Sequence, residues 1–182
     1  MGKKELDKKT AVKIITGGRD QGKTDQEIYA GLSESYLDKK AIALLITGTP
    51  KPEDKKRYKI LNTILVVVLS LGFLANLIAM IGLISRMHKS AGILVLLFPL
   101  LSLFFIYEII KYNAAIYRFC GGFALIGAFQ TLTQSKELDA VLLTGMFFSL
   151  LVAMLAFYID AKMFPDYKPR NLKQNGNGDY NF

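Results

Sequence analysis

Reactive side chains are scarce in this sequence. Cys120 is the one cysteine, so no internal disulfide can form. His88 is the one histidine, set between Arg86 and Lys89. A lone histidine and a lone cysteine supply neither a metal-ligand cluster nor a Ser-His-acid set. No catalytic residue, cofactor or metal site is therefore expected, and Cys120 reads as a small packing residue.

The larger absence is of charge. Ile60 to Ser85, Ser90 to Tyr107, Phe119 to Ser135 and Ala140 to Ile159 contain no Asp, Glu, Lys or Arg. A bilayer core roughly 30 Å thick takes about 20 mostly apolar helical residues, so each run is a candidate crossing once its polar ends snorkel. A soluble core is excluded, because too little polar surface remains to cover four such runs. A cleavable leader is not expected, since the first apolar run begins near residue 60. The predicted architecture is all-α: a small three-helix cytoplasmic module over 1–56, a four-helix transmembrane bundle over 57–163, and a disordered, Asn/Gly-rich cytoplasmic tail over 164–182. The spans fall near 60–84, 90–110, 114–134 and 138–161.

What is present in quantity is basic charge at the ends. Of 23 Lys and Arg, 14 lie in residues 1–59. Lys111, Arg118, Lys162, Lys168, Arg170 and Lys173 fall on the same side if the chain crosses four times. Only Arg86, Lys89 and Lys136 fall on the other. Cytoplasmic flanks collect such residues, which puts both termini inside, in a plasma or inner membrane. The formal charge of +8 is then matched by anionic lipid and needs no nucleic acid.

Inside the spans the polar residues are few. Asn76 and Gln130 are candidates for hydrogen bonds between helices, and Glu108 and Arg118 flank an inner loop as a candidate interfacial pair. Tyr58, Tyr107, Tyr112, Tyr117 and Tyr158 sit at span ends like an aromatic belt. Pro99 marks a kink in the second span. Small residues recur every four positions: Ala75 and Ala79, Ala124 and Ala128, and Gly145, Ser149 and Ala153. That spacing lets membrane helices approach closely, within one chain or between copies.

Residues 1–59 carry helix signals. Leu6–Gly17 aligns without gaps to Leu37–Gly48, with seven of twelve positions identical. This repeat predicts one helix type used twice, each ended by Thr-Gly. Thr24 and Glu27 form a capping box. The predicted helices are 5–16, 24–33 and 36–47, and Pro52-Glu53-Asp54 opens the helix that enters the membrane. The trio resembles a helix-turn-helix only in outline, and its third helix offers just Lys39 and Lys40 to nucleic acid. Gly17 to Thr24 matches the phosphate-loop pattern G-x-x-x-x-G-K-[ST] letter for letter. Fifty-nine residues leave no room for the parallel sheet such a loop needs, and the Gly pair reads better as a helix stop. Nucleotide and nucleic acid are thus not expected as partners. The reading is of a non-enzymatic membrane protein whose partners are the lipid bilayer and either another protein or a second copy of itself. A subunit of an oligomeric channel or transporter is the alternative.

Overall fold

A computed structural model describes residues 7–36, 38–84, 97–134, 140–169 and, beyond them, 172, 174, 179, 180 and 182. Among these the chain forms eight helices and no strand: α1 (Lys8–Asp20), α2 (Asp25–Ser35), α3 (Lys39–Gly48), α4 (Pro52–Arg57), α5 (Lys59–Ile84), α6 (Leu97–Ile110), α7 (Ala114–Gln134) and α8 (Ala140–Met163). They divide into two compact units. One is Met1–Tyr58 with Asp160–Phe182, the other Lys59–Ile159.

In the first unit, four short helices rather than three precede the apolar segment. The two repeat copies start alike. Asp7 caps α1 by accepting from the amides of Lys9 and Thr10, and Asp38 caps α3 by accepting from Ala41. Equivalent positions of the copies are buried, Ala11 with Ile42 and Ile15 with Ile46. Their ends differ. The expected stop at Gly17-Gly18 is corrected, because α1 runs through both to Asp20. The terminator is Gly22, at φ +79°, with Gly22 N donating to Arg19 O at 2.9 Å and Lys23 N to Gly18 O at 3.0 Å. These two bonds close a Schellman motif, which needs a left-handed residue at that point. Gly18 serves packing instead, since a Cβ there would lie 2.9 Å from Ile28 Cγ1. Replacing Gly22 by Val forces a β-branched residue into the left-handed region. It should cost about 1–2 kcal/mol, read as a lower melting temperature by circular dichroism.

The core of this unit joins Ile15 of α1, Ile28, Tyr29 and Leu32 of α2, and Ile42, Ala43 and Ile46 of α3. It has one further member from far away, Tyr180. The expectation of a disordered tail is corrected for the described residues. Tyr180 is 6 % exposed, its ring edge-on to Tyr29 at 6.1 Å, and Phe182 lies 5.4 Å from the same ring. Gln26 Nε2 donates to Tyr180 O at 3.3 Å, and Lys39 Nζ pairs with Asp179 at 2.8 Å. The reason is physical: three helices of 10 to 13 residues bury little surface alone, and an aromatic ring closes their open side.

In the second unit, α5 packs along α6 and α6 along α7. Among the described residues three helices are long and apolar enough to cross a membrane, over Lys59–Ile78, Ala114–Thr133 and Leu142–Met163. The expectation of four is corrected to this extent. Of the second span, residues 90–96 lie outside the described residues, and α6 supplies 14 residues, about 21 Å of helix. His88 and the expected outer-loop cations also lie outside them. Ile60, Ile78, Phe129, Phe147 and Met154 are 63–73 % exposed on the outside of this unit. Helices that are apolar all round and stay uncovered are suited to lipid.

Candidate functional site

The second unit is pinned at the end where α5 and α7 begin. Tyr117 Oη donates to Asn62 Oδ1 at 2.6 Å and lies 3.3 Å from Ile109 O, while Asn62 Nδ2 donates to Ile109 O at 3.3 Å. Three helices thus meet in one buried polar knot on the Ile109 carbonyl of α6, which also accepts from Tyr112 N at 3.0 Å. Tyr117 is fully buried, so its expected place in an aromatic belt is corrected. Tyr107 and Tyr158, at 56 % and 47 % exposure, do face outward. Spacing reveals neither Asn62 nor the role of Tyr117, because the bond closes over 55 residues.

Beside the knot the chain reverses through Lys111, Tyr112 and Asn113, with Tyr112 at φ +57°. The expected pairing of Glu108 with Arg118 is replaced by a local one. Asn113 Nδ2 donates to Glu108 Oε2 at 2.6 Å, and Asn113 N to Glu108 O at 3.1 Å. The carboxamide sits five residues along the chain, so it reaches Glu108 within the turn, whereas Arg118 already belongs to α7.

Above the knot lies a cavity of about 710 Å³ reached by α5, α6, α7 and α8. The two intramembrane polar candidates, Asn76 and Gln130, both line it. The Asn62–Tyr117 bond sets the register of α5 against α7. Asn76 is 14 residues beyond Asn62 and Gln130 is 13 beyond Tyr117, so both stand about 20 Å above the knot. Nearer the knot the lining is Val68, Phe105, Phe123 and Cys120, with the Phe105 and Phe123 rings 5.7 Å apart.

No family model matches this chain. No curated protein and no solved structure matches it either. The site is therefore read from its own chemistry. Among the described residues no group of three or more His, Cys, Asp or Glu is placed to hold a metal ion.

The small-residue stripes fare unevenly. Ala128 and Ala153 are buried, and Ala124 and Ser149 line the cavity. Ala75 and Gly145 face outward, and the side chain of Ala79 lies outside the described residues. The tightest approach is at Gly121, absent from the predicted stripes. A Cβ there would meet the Phe157 ring at 2.9 Å. The Gly121-Gly122 pair is the sequence signal for it. Gly121→Leu should separate α7 from α8 and cost about 1–3 kcal/mol, measured as a lower unfolding temperature in detergent.

The phosphate-loop pattern in the first unit forms no phosphate cradle. Gly17 to Asp20 are helical. Arg19 donates through Nε to Asp25 at 2.7 Å and through its two terminal nitrogens to Thr49 O at 2.7 Å and Ile46 O at 2.9 Å. One side chain therefore ties the ends of α1 and α3 to the start of α2. Thr24 Oγ1 accepts from Glu27 N at 3.2 Å and donates to the Glu27 carboxylate, which also accepts from Thr24 N at 2.7 Å. The bond from Thr24 N, and then that from its hydroxyl, hold the Glu27 carboxyl below its ordinary range. With a depressed folded value, this contribution to stability is present above the ordinary Glu value and is lost as pH falls through the folded one. Helicity at the start of α2 should fall with acid in the parent chain and less steeply in Glu27→Gln, followed by circular dichroism.

Proposed function

We propose that the chain is a non-enzymatic multi-pass membrane protein that holds its helical module at the cytoplasmic face, where the module binds a protein partner or a second copy. The observation that carries this reading is the make-up of the first unit, which contains both ends of the chain. The apolar segment between those ends must leave one side of the bilayer and return to it, which takes an even number of crossings. Three long helices are odd in number, so the second apolar run of the sequence, near 90–110, is the fourth crossing in this reading. The charge distribution agrees, since cytoplasmic flanks are the basic ones. A plasma or inner membrane suits that asymmetry.

On α1, Ile14 is 45 % exposed, an apolar side chain turned away from the module's core. A photoreactive residue at Ile14 in the full chain should crosslink a partner or a second copy in native membranes. Absence of any crosslinked species overturns the binding role. Ion flux in liposomes, lost in Asn76→Leu and Gln130→Leu, selects the channel or transporter reading instead.

A further inference from the structure

Asn76 and Gln130 present an unsolved polar problem in the second unit, where both are exposed at the wall of the cavity. Among the described residues neither carboxamide has a hydrogen-bond partner, although both line one cavity at one level. An unpaired carboxamide in hydrocarbon costs several kcal/mol. Ser149 adds a hydroxyl near that level, since a Cβ on Gly127 would lie 3.9 Å from its Oγ. Toward the knot the walls are aromatic and aliphatic. Among the described residues no Asp, Glu, Lys or Arg lines the space.

We propose that this cavity binds a neutral, single-chain amphiphile of the monoacylglycerol type. Its hydroxyl or ester head meets Asn76, Gln130 and Ser149, and its chain runs down toward Phe105, Phe123 and Val68. The volume lies within the usual range for small-molecule sites, and so does the composition, a mostly apolar wall with a few converging polar groups. A charged head is disfavoured because none of the described lining residues is ionic, and a buried unpaired charge is costly. Water alone fills the polar level but leaves the apolar depth unoccupied. The inference rests on the membrane-spanning reading of α5 to α8.

The test uses the full chain in phosphatidylcholine vesicles with a diazirine-bearing monoacylglycerol. Flotation first establishes insertion, and a chain that fails to float with vesicles sinks both this inference and the membrane reading. In a chain that floats, label is expected on 68–73 and 123–126 and is displaced by unlabelled monoacylglycerol. The Asn76→Leu/Gln130→Leu double variant should lose about tenfold in labelling, the size of two modest hydrogen bonds. Gly127→Phe should fill the space and lose it too. Labelling spread evenly over outward residues such as Ile60, Ile78 and Phe147, or unchanged in the double variant, overturns the site. Equal labelling by a diazirine fatty acid, ionised at pH 9, overturns the assignment of a neutral head.

Discussion

Arg19→Met is expected to lower the stability of the first unit by about 3–5 kcal/mol, the range for removing one partner of a buried, hydrogen-bonded ion pair. The substitution keeps most of the aliphatic volume but strands Asp25 and the carbonyls of Ile46 and Thr49. The side chains of Arg19 and Asp25 are only 7 % and 18 % exposed, so water replaces the lost bonds poorly. Arg19→Lys keeps the charge but not the planar fork and should recover only part of the loss. Hydrogen exchange in the full chain reads this directly. Amides of α2 and α3 should exchange roughly a hundredfold faster or more in Arg19→Met. Unchanged protection contradicts the role given to Arg19.

Tyr180→Ala should cost a similar amount, about 3–5 kcal/mol, the range for deleting a buried aromatic ring. The effect is expected in α2 and α3, more than 130 residues away in sequence, because Tyr180 belongs to their core. Lys39→Ala should matter far less. Its ion pair with Asp179 is about two-fifths exposed on each side, and such pairs contribute about 0–1 kcal/mol. A tail that merely trails in solvent predicts no exchange difference between Tyr180→Ala and the parent.

The helical class, the long apolar helices α5, α7 and α8, and the capping box at Thr24 are legible in the amino-acid sequence, because each rests on neighbouring residues, whereas Asp7 and Asp38 fall inside the predicted helices 5–16 and 36–47 and in the fold cap α1 and α3. Hydropathy is summed over one helix, and a cap joins residues three apart. The features that stay hidden in the sequence are mostly long-range. Composition marks the tail as Asn- and Gly-rich but cannot say that Tyr180 seats on α2. Tyr117 looks like an interfacial tyrosine until Asn62 is found beside it. The end of α1 is easily misplaced because Gly17-Gly18 carries the stronger glycine signal, whereas the left-handed turn is made by Gly22 alone. The phosphate-loop pattern misleads for the same reason: its residues are those of a Schellman stop, a clasp and a capping box in succession. Asn76 and Gln130 stand out by polarity in an apolar run, and only the register set at the knot puts them at one level.

If, as proposed, the chain crosses the bilayer four times, residues before α5 and after α8 lie on the same side. Single cysteines at Lys13, Lys89, Lys136 and Lys168, in a Cys120→Ser background, test it with a membrane-impermeant maleimide on intact cells. Four crossings predict labelling at 89 and 136 without permeabilisation, and at 13 and 168 only after it. Labelling of 13 and 168 on opposite sides of the membrane contradicts it.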